Sequence, residues 1–166
     1  MLLTEIFNLH MPKFLQKTQG YDDSKVKHKA GLLPFFKHND NTIEFLFMVS
    51  SDPKFGGPDP MISKGGVDPG EDIKQAAIRE SEEELGLKPG NIISPLTVIY
   101  NEQISGLKNS YHMTFFMCQV NSKTDFGTHH YETAHTVWMT NEQFQLRGRN
   151  SHKPIVKRAY NLVTGS

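Results

Sequence analysis

The residues Lys64-Gly65-Gly66-Val67-Asp68-Pro69-Gly70-Glu71-Asp72 run directly into Ile73-Lys74-Gln75-Ala76-Ala77-Ile78-Arg79-Glu80-Ser81-Glu82-Glu83-Glu84-Leu85-Gly86-Leu87. The second half is rich in Ala, Glu, Gln and Lys and free of Gly and Pro, which predicts a helix over residues 72–85. Gly86 is the residue best able to adopt the left-handed backbone that closes a helix. At about 100° per residue, Glu80, Glu83 and Glu84 fall on one face and Glu82 on the opposite one. Like charges at these spacings cost a helix about 0.2–0.5 kcal/mol per pair, and near the C-terminal end the helix dipole disfavours negative charge as well. Two readings relieve the conflict: a solvated acidic face, or a hard divalent cation held by oxygen ligands. The lead-in favours the second. Gly65-Gly66 lets backbone approach a ligand closely, Pro69-Gly70 suits a tight turn, and Glu71 and Asp72 sit at the positive end of the helix.

Outward from this stretch, apolar runs at Ala30–Phe36 and Ile43–Ser50, separated by the polar turn 37–42, predict a strand pair. Residues 51–64, with Pro53, Gly56, Gly57, Pro58 and Pro60, read as loop. Beyond the helix, Pro95–Ile104, His112–Val120 and Thr136–Thr140 read as strands. Thr140 followed by Gln143 marks the cap of a short helix, and a last helix runs from Pro154 to Val163, before Gly165. Strands alternating with helices are compatible with an α/β or α+β fold without selecting one.

The chain of 166 residues suffices for one domain with its own core. Eighteen Lys and Arg balance eighteen Asp and Glu, so no whole-molecule field draws nucleic acid or an anionic membrane, and any anionic ligand must be held locally. A lone Cys118 excludes an internal disulfide and a thiolate metal centre, which fits a cytoplasmic localisation. The apolar runs are strand-sized, far short of the roughly 20 residues of a membrane helix, and residues 1–10 lack the pattern of an export signal. Residues 1–25, interrupted by Pro12 and ending in a polar stretch around Gly20, Asp22 and Asp23, read as an N-terminal arm before a domain over 26–166. The arm is a candidate dimerisation element that would make the protein a homodimer.

Gly65, Glu71, Arg79, Glu80, Glu83, Glu84, Gly86 and Leu87 stand in the register of the Nudix box, and the segment resembles that family of hydrolases acting on nucleoside diphosphates linked to another moiety. Ser81 departs from the pattern, where an aliphatic is usual, and so does Ser63, where many members have proline. A weaker resemblance extends from about Lys27 to Val163, through a strand running from Tyr131-Glu132 to Trp138-Met139. It implies a mixed β-sheet sandwiched between α-helices. It also implies that Glu80, Glu83 and Glu84, with the Gly65 carbonyl, bind Mg²⁺, or Mn²⁺ in its place, so that a pyrophosphate bond is hydrolysed. Glu83 is the first choice of general base, Glu132 the alternative, and Glu102 a weaker candidate. Glu71 and Arg79 are expected to pair and orient the loop on the helix, and Lys64, Gly65 and Gly66 to meet the substrate. The expected substrates are nucleoside triphosphates, dinucleoside polyphosphates or nucleotide sugars. RNA 5′ ends are the alternative, and a non-catalytic binding module is a third reading. The absence of proline between Pro95 and Pro154 weakens an ADP-ribose reading.

Other groups receive plainer readings. Arg147, Arg149, Lys153, Lys157 and Arg158 read as a solvated helix and its lead-in. His129 and His130 are adjacent on an extended segment and point opposite ways, unsuited to one ion. Phe55, Tyr111 and Tyr131 are candidates for stacking on a base, with packing the commoner fate of aromatics.

Overall fold

The computed structural model describes residues 26–55, 57–105, 110–123, 126 and 131–166. The arm at 1–25 and the His129-His130 pair lie outside the described residues. Six strands form one mixed sheet: β1 (Lys27–Lys37), β2 (Ile43–Ser50), β3 (Ser63–Gly66), β4 (Thr97–Ser105), β5 (Ser110–Gln119) and β6 (Thr133–Met139). The order is β4-β5-β1-β2-β6, with β1 and β5 parallel and the other pairs antiparallel. The other edge of β1 is divided. Lys29–Leu32 pair with β3, whereas Phe35–Lys37 pair with β2, so the sheet forks along this strand.

Both faces of the sheet are covered, which is why β1, β2 and β5 read as nearly continuous apolar runs. Alternate residues feed two cores. Leu32, Leu46, Met48, Phe116 and Cys118 pack with Ile73, Ala76, Ala77 and Leu85 of α1 (Ile73–Leu85). Leu33, Phe45, Phe47, Phe115 and Met117 pack on the opposite face with Phe144, Ile155, Val156 and Ala159. These last come from α2 (Asn141–Arg147) and α3 (Lys153–Thr164). Phe47 and Phe144 stack with ring centroids 4.2 Å apart. The result is the mixed sheet between helices that the sequence led us to expect.

Local chemistry sets the ends of the helices. Asp72 caps α1 rather than opening it, accepting from the Lys74 N–H at 3.4 Å. Gly86 closes the helix at φ 73°, its N–H bonded to the Glu82 carbonyl. Thr140 and Gln143 exchange the two bonds of a capping box at 3.2 and 2.9 Å. Three readings need correction. The loop 51–64 contains a 3₁₀ turn at Pro53–Phe55 and ends in strand β3, hidden by its two glycines. Tyr131 and Glu132 lie in a turn, and β6 begins at Thr133, earlier than Thr136. Val120 lies beyond β5, in an isolated bridge to Ile92.

Candidate active site

Arg79, at the middle of α1, ties the preceding loop to the helix. Its Nε and Nη2 donate to the two oxygens of Glu71, each at 2.9 Å, and Nη2 also donates to the Gly66 carbonyl at 2.9 Å. Nη1 reaches Glu80 at 3.0 Å and Glu83 at 3.3 Å, and Asp68 lies 3.6 Å away. Glu71 additionally accepts from the Asp68 N–H at 3.0 Å, closing the turn around Gly70 at φ 77°. The paired bonds are the strong, directional kind that only a guanidinium makes with a carboxylate. Arg79 lowers the pKa of Glu71 by these hydrogen bonds, and Glu71 in turn raises that of Arg79.

Glu80 and Glu84 turn toward β3. A Cβ on Gly65 would overlap the Glu80 carboxylate, so glycine is what lets this acid lie against the β3 backbone. Burial raises the pKa of Glu80, an effect opposed by the Arg79 hydrogen bond and reinforced by the charges of Glu83 and Glu132. Glu84 is buried, and its Oε1 accepts both from Ser63 Oγ and from the Lys64 N–H at 2.8 Å. Burial pushes its pKa up to about 7 in spite of those donors. Ser63 is therefore a donor to a site carboxylate. Ser81 is fully buried and satisfies itself by donating to the Ile78 carbonyl at 2.7 Å, a local answer to the missing aliphatic.

A cleft of about 590 Å³ opens beside these groups, in the fork between β2 and β3. Lys64, Gly65, Gly66 and Glu84 line one side, and Glu132 and Tyr131 enter from the turn before β6. Phe55 and Tyr131 stand at this cleft with most of their surface exposed, whereas Tyr111 lies under the Lys29 ammonium, 4.5 Å from its ring centre. Glu83, 46% exposed, stands on the outer side of α1 against Arg79. Glu102 is exposed on edge strand β4 and does not line the cleft.

Several neighbours of the cleft escaped the sequence reading. Lys29 lines it from β1. Arg149 leaves the solvated basic group to which its sequence position assigned it. Its backbone N–H bonds to the Pro60 carbonyl at 2.9 Å and its Nη1 lies 3.8 Å from the sulfur of Met61, a lining residue. His152 is buried and accepts the Ile62 N–H on Nδ1 at 3.1 Å, fastening the segment that leads into β3. Burial lowers its pKa to about 3, helped by Lys64 and Arg149. The Lys64 ammonium is likewise lowered, by burial first and then by Arg149 and Lys29. No local signal marked these residues, because the contacts span 90 positions in the case of Ile62 and His152.

The donor chemistry suits a hard divalent cation: carboxylate oxygens, with Glu80 and Glu84 pressed together so that burial and neighbouring negative charge raise their pKa. Among the described residues, no three His, Cys, Asp or Glu side chains yet converge on one point. Arg79 takes Glu80 and Glu83 to its own donors.

Comparison with known proteins matches this arrangement. A family model described as "NUDIX domain" matches residues 32–159. Two curated relatives are similar to part of the chain, both bis(5′-nucleosyl)-tetraphosphatases (asymmetrical). The Rattus norvegicus protein is 38% identical over 69 residues, covering 39% of this chain and 45% of its own length. The Mus musculus protein is 39% identical over 75 residues, covering 42% and 46%. The match thus spans somewhat less than half the length of these relatives. Among solved structures, a C. elegans Ap4A hydrolase binary complex superposes with a TM-score of 0.69 at 24% identity, over 85% of this chain and all of that one, which shows a shared fold.

Proposed function

The chain belongs to the NUDIX family, and from that membership we propose that it is a Mg²⁺-dependent hydrolase of pyrophosphate bonds in nucleoside polyphosphates, dinucleoside polyphosphates foremost. The observation that carries this reading is the Arg79-clamped loop and helix, which sets Glu84 and the Gly65 backbone at the edge of a cleft large enough for a nucleotide. The choice of dinucleoside polyphosphates is supported by the names of the partly matching relatives.

In this mechanism Glu80, Glu83, Glu84 and the Gly65 carbonyl would hold the cation. When bound, it polarises a phosphoryl oxygen and lowers the pKa of an attacking water. The protein's own groups do the rest. Ser63 and the Lys64 N–H fix Glu84 through Oε1. Burial holds the Glu84 pKa at about 7, so Glu84 would have to be deprotonated to hold a cation, and affinity for the ion would rise with pH. Glu83 is the proposed general base, and Glu132, which lines the cleft and lies near enough to Glu80 to raise its pKa, the alternative. Lys64 approaches the phosphates as a cation. The Gly65-Gly66 backbone leaves them room, and Phe55 and Tyr131 offer ring faces to a base. We assign the protein to the cytoplasm, where its single buried Cys118 would stay a thiol.

The test is a hydrolysis panel of nucleoside triphosphates, dinucleoside polyphosphates, nucleotide sugars and capped RNA, with Mg²⁺ and with EDTA. Turnover of a dinucleoside polyphosphate that stops in EDTA and falls at least a hundredfold in Glu84→Gln is expected. Turnover indifferent to EDTA, or preserved in Glu84→Gln, would overturn the reading.

A further inference from the structure

The cleft has a second charged wall that the proposed cation does not use. Lys29 stands opposite Gly66 on β1 and Lys64 opposite Gly31 on β3, which makes the two lysines diagonal neighbours on the same face of the strand pair. Arg149 joins them from the segment between α2 and α3. It is held there by the backbone bond to Pro60 and by Nε donating to Ser151 Oγ at 3.2 Å, with Nη1 on Met61. Lys29, Met61 and Lys64 all line the cleft.

Among the described residues none of these three cations has a carboxylate within salt-bridge distance, while Arg79 alone draws four: Asp68, Glu71, Glu80 and Glu83. Arg149 and Lys29 repel the Lys64 ammonium more strongly than Glu84 and Glu80 attract it, and Lys29 rests its ammonium on the Tyr111 ring, so gathering these three cations is an electrostatic cost that an anionic ligand would reduce. Of the acids lining this cleft, Asp52, Glu84 and Glu132, Glu84 would help to hold the proposed cation, and phosphate charge beyond what that cation would neutralise is left to the basic groups.

We propose that Lys29, Lys64 and Arg149 form a second phosphate subsite, and that Arg149 makes the protein select substrates with three or more consecutive phosphates over those with two. This deepens the preceding reading and rests on it for the cleft's use, but not for the anion binding itself. Each charged contact of this type is worth roughly a tenfold change in affinity.

The test is calorimetry on the full chain in EDTA, with tripolyphosphate and pyrophosphate as probes. The wild type should bind tripolyphosphate at least about tenfold more tightly than pyrophosphate. Arg149→Gln should abolish that preference, and Arg149→Lys should retain most of it. In Mg²⁺, Arg149→Gln should raise KM for a triphosphate-bridged dinucleotide more than for a diphosphate-bridged one, a split that mere destabilisation would not produce. Equal binding of the two probes by the wild type, or an undiminished preference in Arg149→Gln, would overturn the proposal. A wild type that prefers tripolyphosphate yet hydrolyses nothing in the panel would overturn the hydrolase reading and leave this one standing. Turnover without the preference would do the reverse.

Discussion

Arg79 donates to Glu71 through two nitrogens and to the Gly66 carbonyl through one of them, so a single side chain spans from the middle of the helix to the last residue of β3. Lysine keeps the charge and loses the fork. Arg79→Lys should therefore cost about 1–3 kcal/mol in urea unfolding and lower kcat at least tenfold. Gly65 tests a different link. An added methyl meets the end of the flexible Glu80 side chain, which can swing away, so Gly65→Ala should melt within a few degrees of the wild type while its Mg²⁺ affinity falls at least tenfold. Isothermal calorimetry alongside a thermal melt separates the two effects. For His152 the sign follows from its pKa of about 3, below the 6.5 or so of an unfolded imidazole. Below about pH 6.5 the unfolded chain binds a proton that the folded chain refuses. The stability contribution is whole above that pH and declines toward pH 3, by on the order of 2 kcal/mol at about pH 5. Urea unfolding at about pH 7.5 and pH 5 should show a smaller decline in His152→Gln than in the wild type. None of this was legible locally. The spacing of Glu71 and Arg79 marks them for each other, but nothing next to His152 announces Ile62 as its partner.

At the scale of elements, strands with both faces buried announce themselves by unbroken apolar runs, as β1, β2 and β5 do, and the capping residues Thr140 and Gly86 mark helix ends. Strand β3 was invisible because Ser63-Lys64-Gly65-Gly66 has low strand propensity, two of its four residues being glycine. It exists because β1 offers it hydrogen bonds and Glu84 and His152 fasten it and its lead-in from opposite faces. Gly31 belongs to the same junction. A Cβ there would overlap the Ser63 carbonyl and the Phe115 ring, neither free to move. Gly31→Ala should cost about 1–3 kcal/mol, and because it pushes on β3 it should also weaken turnover, unlike a surface substitution of equal cost. Differential melting combined with kcat/KM checks both. The elements legible in the sequence hold the core, and the element that was not legible lines one side of the candidate site.

For the molecule as a whole, equal numbers of acids and bases conceal a separation of charge, with carboxylates around Arg79 on the helix side of the cleft and, across it, cations that form no salt bridge among the described residues. The separation follows from folding, since residues 29 and 64 become neighbours only when β3 pairs with β1, and residue 149 joins them only when the segment between α2 and α3 docks on Pro60 and Met61. Attraction of an anion is then local. Raising salt should weaken substrate binding only through the few phosphates in contact, with no long-range steering to lose.

The fork in the sheet has a consequence of its own. Across it, the arm of β2 and the approach to β3 are stitched at one place, where Met48 and Met61 exchange N–H···O bonds of 3.0 and 2.9 Å behind the cleft. That stitch is a built-in gauge of whether the cleft is filled. With the fork empty, parting of these two amides is opposed by the burial of both methionines and by the Pro60–Arg149 and Ile62–His152 bonds on either side of Met61, which sets a baseline rate for trading their hydrogens for solvent deuterium. A ligand wedged between the prongs would hold them shut, and the slowing of isotope uptake at Met48 and Met61 would record its residence without any chemistry having to occur.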